Sequence, residues 1–448
     1  MKKKYMFFSI LLGFAANSFS SCNKFLEINP KDDVSDDQTI VDAASARTAI
    51  RGVYRALSAD SYYGNSFPSL GYLNGDNVQW TGSQSIVQQF ISHNVHSDNG
   101  TIESVWTAIY ATINRANNVI AKLPNVIDVN LSDSERNQIK GEAFFVRALS
   151  YFDLARTWGG VQLKLNPTVS LSGNSGIKRS TLEETYVQVL NDLDSAEVLL
   201  PLVTNRVRAT KKTAWALKSR YYLYQQDWPD AETYATKLIT DNNYSLLAPY
   251  NAWWANDVTA TAESIFELAY SANYTNSQRN QWQPPANGGT RQIAPSDAFL
   301  LLVNDPSVGG NRSSLVAQTT QGLWYGNLYY RSPATDPAYV IRIAELYLIR
   351  AEARAQQGNL AGALSDLNIV RNRAGLTDYT TSTKADALLA IENENRIEFA
   401  LEAHRWFDLV RTNRAQTVLG ITDNNRLLMP IPINELTVDP NLTPNAGY

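Results

Sequence analysis

The chain has 448 residues, 44% hydrophobic and 18% charged, enough to bury one large core or several. A formal net charge of -4 leaves no basic face for nucleic acid. A single cysteine excludes an intrachain disulfide, and three histidines beside it argue against a zinc site. Ten tryptophans and 23 tyrosines exceed what a minimal core needs and point to a surface that uses rings.

Met1 to Lys4 is a positive head, Tyr5 to Phe19 an uncharged and mostly apolar run, and Ser20-Ser21-Cys22 follows. Small residues before a cysteine at the end of such a run resemble the lipobox of bacterial lipoproteins, although Phe19 stands where leucine is usual. This predicts a signal peptide over 1–21, a lipidated Cys22 and a tether over 22–37. Several acyl chains on Cys22 make a stable anchor.

The spacing predicts a helix over 38–59, with Ile40, Ala44, Ala49, Val53 and Leu57 on its buried stripe. The stretch 58–82 holds glycines, Pro68 and five aromatic rings, and reads as a long irregular segment. Helices follow over 101–123, 132–158 and 181–200. The last two open with Ser132 and Glu135 and with Thr181 and Glu184, the pattern of a capping box.

The stretches 213–239 and 343–371 each resemble a tetratricopeptide repeat. In the first, Trp215, Ser219, Tyr222, Ala231 and Ala235 stand where such a hairpin wants rings and small contacts. In the second, Tyr347, Ala351, Ala363 and Leu367 do the same. Between them, 248–338 carries rings on loops rich in glycine and proline, with Ile265 to Leu268 reading as a strand. Helix returns over 384–414, and 429–432 and 440–444 end the chain as extended coil. The fold class expected is all-α: a tetratricopeptide-like scaffold with a large loop-rich insertion. The organisation expected is a helical part over 38–247, the insertion over 248–338, and repeat-like helices with an extended tail over 339–448.

One segment occurs twice. Tyr151-Phe152-Asp153-Leu154-Ala155-Arg156-Thr157 returns as Trp406-Phe407-Asp408-Leu409-Val410-Arg411-Thr412, suggesting two equivalent helices. The second copy, with Asn395 to Phe399 ahead of it, the lipobox with Phe25-Leu26-Glu27, the Arg147 to Leu154 helix with Gly159-Gly160-Val161, and the closing Leu428 to Pro432 and Gly447-Tyr448 look like the SusD/RagB family. The resemblance spans nearly the whole mature chain. It implies a non-catalytic outer-membrane lipoprotein of Bacteroidetes, exposed at the cell surface, that captures glycans as a lid on a SusC-type TonB-dependent transporter. Some members of the family handle peptides or other nutrients instead.

Aromatic side chains on loops suit a sugar, because a pyranose packs its axial C–H groups on an indole face. Its hydroxyls then need hydrogen bonds from amides, carboxylates or guanidinia. The candidates are Asp76, Asn77 and Trp80 in one cluster and Trp324 and Tyr325 in another, with Trp282 and Arg291 outside them. Each tryptophan has a rival reading as a latch that fastens its loop, and Trp253 and Trp254 read that way first. Trp106, Trp158, Trp215 and Trp406 fall in helical patterns and read as core.

Other patterns carry less chemistry. Asp153 with Arg156 and Asp408 with Arg411 read as ion pairs on helices. Glu394, Glu398 and Glu402 read as a solvated or salt-bridged face, because glycoside hydrolysis needs two carboxyl groups facing each other across a cleft. A surface glycosidase and a purely protein-binding scaffold remain the rival classes. His93 and His96 read as a surface loop. No phosphate loop, dinucleotide fingerprint or nucleophile elbow is visible, and no cofactor is expected.

Overall fold

Helix starts follow the capping residues. In the computed structural model, which describes residues 39–169 and 176–448, Asp42 accepts from the Ser45 backbone and Ser45 returns its hydroxyl, opening Ala43–Leu57. Asn99 caps Gly100–Lys122, and Thr181 with Glu184 forms a complete box at Leu182–Leu199. At Asp133–Trp158 only half of the expected box forms. Ser132 accepts from the Glu135 backbone, but the Glu135 carboxylate turns to Arg47, at 2.6 and 2.8 Å. The signal peptide, Cys22 and the tether lie outside the described residues.

These helices pack in chain order, each against the next. The last joins the first repeat-like pair, Lys211–Tyr224 with Trp228–Ile239. The second pair, Ile343–Gln356 with Leu360–Arg373, packs directly on the first through 228–239 and 343–356. The loop-rich stretch is therefore spliced between two neighbours in space. Small side chains permit the close approach: Ala231, Ala235, Ala351 and Ala363 are fully buried, and Ser219 donates to the Ala231 carbonyl at 3.0 Å. Trp106, Trp158 and Trp406 are core, whereas Trp215 is half-buried and spends its N–H on Glu197.

Strands are few among the described residues: Val78–Trp80 (β1), Ser264–Leu268 (β2), Ile293–Pro295 (β3), Val316–Gln318 (β4), Trp324–Gly326 (β5) and Ala338–Arg342 (β6). They form antiparallel pairs, β1 with β3, β2 with β6 and β4 with β5. The strand read at 265–268 is β2, and its pairing with β6 ties the stretch to the start of the second repeat pair.

The segment 58–82 is more ordered than its sequence suggests. It holds a π-helical turn, Asp60–Gly64, then the helix Ser66–Leu73, then β1. Every residue from Phe67 to Leu73 is buried, so no polar face exists to give a helical period. Gly71 is needed there, because a Cβ on it would lie 2.6 Å from the Ala403 Cα.

The helix expected over 384–414 is broken. It runs as Lys384–Glu398, turns, and resumes as Arg405–Arg411. The turn delivers Glu402 to Arg342, and the three glutamates face inward rather than to solvent. Glu398 takes Arg312 Nε at 2.7 Å and Arg342 Nη1 at 3.0 Å, and also pairs with Arg373. Glu402 takes Arg342 Nη2 at 2.7 Å. Glu263, just before β2, joins the network through Arg342 and Arg373, both at 2.7 Å. Burial works to raise the Glu398 carboxyl, but Arg373, Arg312 and Arg342 outweigh it and hold it down at about 2. A charged, buried network thus joins the inserted stretch to the repeat scaffold.

The echoed helices repeat the same internal ion pair and touch through one cation–π contact. Asp153 binds Arg156 at 2.7 Å and Asp408 binds Arg411 at 2.8 Å, each three residues on. The Arg156 guanidinium lies 4.1 Å over the Phe407 ring of the second copy. The tail crosses the end of 133–158: Met429 N donates to Thr157 O at 2.8 Å, and Trp158 Nε1 to Pro430 O at 2.9 Å. It is not wholly extended, since Ile433–Val438 is a short helix.

Candidate functional site

Trp80 ends β1, and its neighbour Thr81 donates to Gln292 O at 2.8 Å just before β3. The half-buried indole folds back over Gly82, where a Cβ would lie 2.3 Å from ring carbon Cζ2. Only glycine leaves room for the ring at that point. The short helix Ser85–Ile91 follows, and places Ser85, Gln88 and Gln89 beside the indole with Gln84 from its cap. Ser92, Asn94 and His96 complete a cleft of about 340 Å³. Its lining contains no formally charged side chain. Gln84 and Gln88 are exposed and make no side-chain bond among the described residues, while Gln89 Oε1 accepts from His96 N and from Asn99 Nδ2.

Three other candidates gather beside this cleft. β3 runs against both β1 and β5. Arg291 donates Nε to Trp324 O at 2.7 Å, and partial burial pulls its guanidinium below the ordinary value. Trp324 and Tyr325 stay half-buried on β5. Trp80, Arg291, Trp324 and Tyr325 therefore share one neighbourhood, although only Trp80 lines the cleft.

Three candidates are placed otherwise. Trp282 is fully buried beneath Gly326, whose Cβ would lie 2.5 Å from the ring, and it packs on Tyr72 at 5.2 Å. Its ring fastens the loop and does not face solvent. Asn77 is buried, and its amide is taken up by Arg396. Asp76 is bound by Arg405, at 2.7 and 3.2 Å, and by Arg396 at 3.0 Å. Burial works to raise the Asp76 carboxyl, and these guanidinia outweigh it and hold it below the usual carboxylate range. Asp76 and Asn77 thus anchor β1 rather than line the cleft.

A family model described as starch-binding and associating with the outer membrane matches residues 24–223, and the SusD family model matches 325–426. Together they take in most of the chain. The chain belongs to the SusD/RagB family.

A SusD-like protein of Formosa agariphila is 26% identical, with all of both chains covered. The starch-binding protein SusD of Bacteroides thetaiotaomicron is 25% identical, over 71% of this chain and 74% of its own. A SusD superfamily structure from Bacteroides vulgatus superposes with a TM-score of 0.81 at 22% identity, covering 90% of this chain and 99% of that one. A laminarin-binding SusD-like protein superposes at 0.80 with 24% identity, over 91% and 100%. These solved structures share the fold.

For this SusD/RagB member, the family matches fall unevenly on the candidates. Trp80 and its cleft lie inside the first match, whereas Arg291 and Trp324 lie between the two. The amides at 84, 88 and 89 are not among the residues that the sequence singles out. The signal was present: Gln84 and Gln88 stand one helical turn apart, the first of them four residues after Trp80. Trp253 and Trp254 are buried latches. His93 and His96 diverge, the first contacting Asn74 O at 2.9 Å and the second Asn94 Nδ2 at 3.1 Å.

Proposed function

We propose that this protein is a cell-surface lipoprotein, anchored through Cys22, that captures an oligosaccharide or polysaccharide. It passes the glycan to a SusC-type TonB-dependent transporter in the outer membrane and breaks no bond. The observation that carries this reading is the uncharged cleft beside Trp80. An indole for the sugar's C–H face, with the exposed amides of Gln84 and Gln88 and neighbouring hydroxyls for its hydroxyls, is what a neutral glycan requires. Hydrolysis requires two carboxyl groups flanking the scissile bond, whereas this lining is amide, hydroxyl, imidazole and indole.

The starch-binding and laminarin-binding names of the relatives support the ligand class. The leader with its cysteine and the family model's outer-membrane description support the location. Among the described residues no helix is long and apolar enough to cross a membrane. In this reading the helical parts, 38–247 and 339–448, are the scaffold and 248–338 adds to the ligand side.

The test uses the chain from residue 23 onward, which retains the whole contact-connected unit 40–448. It is run through native gels containing a panel of plant, microbial and host polysaccharides. Retardation by one glycan, lost in folded Trp80→Ala and weakened in Trp324→Ala, is expected. No retardation by any glycan would overturn the glycan assignment and shift it to a peptide or another nutrient.

A further inference from the structure

A second and larger cavity, of about 520 Å³, lies between the first repeat pair, the end of 343–356 and the segment 384–414. Its volume falls within the range of small-ligand sites, about 300–1,000 Å³. Its chemistry is opposite to that of the Trp80 cleft. Its lining is mixed: Trp228, Leu388 and Leu389, the last 45% exposed, are apolar. With them stand Arg396, Arg405, Arg411 and Arg414, four guanidinia against the three lining carboxylates Glu352, Glu392 and Asp408. Asp76, just outside the lining, holds both Arg396 and Arg405 and balances the fourth guanidinium.

Most of those donors are already used. Arg411 spends all three nitrogens on Glu352 and Asp408, at 2.7 to 2.8 Å. Arg405 is held by Asp76 and Glu392. Arg396 uses Nε on Asn77 and Nη2 on Asp76. Arg414 differs: it gives Nε to Glu392 at 2.9 Å, and its two terminal amino groups have no partner among the described residues. Its side chain is 38% exposed. The planar edge formed by those two groups is the shape that takes a carboxylate in two parallel hydrogen bonds.

We propose that this cavity binds a small carboxylate-bearing ligand, with its anionic end on Arg414 and its apolar body against Trp228 and Leu389. Two sources offer that chemistry: an acidic sugar unit, or the C-terminus of a short apolar peptide. The site is separate from the Trp80 cleft and does not depend on the glycan reading.

The test is calorimetric titration of the chain from residue 23 with a galacturonate trimer, with tri-leucine, and with tri-leucine amide. Binding of one free acid identifies the source, and the amide should not bind. Arg414→Ala should weaken binding tenfold or more, the scale of about 1.5–3 kcal/mol for a hydrogen bond to a charged group. It should leave glycan retardation in gels unchanged. Leu389→Glu, one helical turn from the Glu392 that holds Arg414, should also weaken binding, and melting temperatures equal to the parent's show that both variants are folded. If neither acid binds at millimolar concentration, or if both variants bind like the parent, the proposal is wrong.

Discussion

Arg396 and Asn77 exchange two hydrogen bonds across 319 positions of sequence: Arg396 Nε donates to Asn77 Oδ1 at 2.9 Å, and Asn77 Nδ2 donates to the Arg396 carbonyl at 2.9 Å. The pair fastens the strand that carries Trp80 to the helix 384–398. Asp76 doubles the joint through Arg396 and Arg405. Asn77→Ala would leave a buried guanidinium N–H and a carbonyl unmet, at a cost of about 1–3 kcal/mol. Thermal unfolding should show that loss. Glycan affinity of the folded variant, measured well below its melting temperature, should fall far less than in Trp80→Ala.

Trp80 and Trp282 should respond in opposite ways. Trp80→Ala removes a half-buried ring from the cleft and should lower glycan affinity about tenfold or more, with a small change in melting temperature. Trp282→Ala removes a ring with no exposed surface and should cost about 3–5 kcal/mol of stability. Paired affinity gels and denaturant titrations separate the two. A stable Trp282→Ala protein that no longer binds would place that ring at the ligand after all.

Gly82→Ala is a sharper probe of the indole's position. Its Cβ would come 2.3 Å from the Trp80 ring, so the ring must swing away. The expected result is weakened glycan binding with nearly unchanged stability, since the residue is at the surface of a loop. Tryptophan fluorescence would report the displaced ring.

Acid should loosen the Glu398 network. Its carboxyl is held at about 2 in the folded chain against an ordinary value of 4.5. A depressed acid stabilises the fold fully above the unfolded value, and that contribution is lost as pH falls from about 4.5 towards 2. Thermal melts of the parent should decline across this window. In Glu398→Gln the decline should be shallower, on a baseline lowered by about 3–5 kcal/mol, because three buried guanidinia lose a partner.

The sequence by itself determined the helix starts at Ser132 and Thr181, because capping there depends on a residue three positions on, whereas the helix expected from residue 38 starts only at Ala43. It also determined the two repeat-like pairs and the echoed helix, whose small-residue and aromatic spacing is local, and the family to which they belong. Only the tertiary structure decided the rest. The helix 66–73 is buried on every side and so shows no period. The polarity of Glu394 and Glu398 reads as a solvated or a salt-bridged face, and Arg312, 82 and 86 residues away, decides for a buried salt bridge. Trp80 and Trp282 are chemically identical in the sequence. What makes one a cleft wall and the other a loop latch is which backbone closes over it: Gly82 on the same loop, or Gly326 from a distant strand. That choice belongs to long-range packing, and no local spacing encodes it.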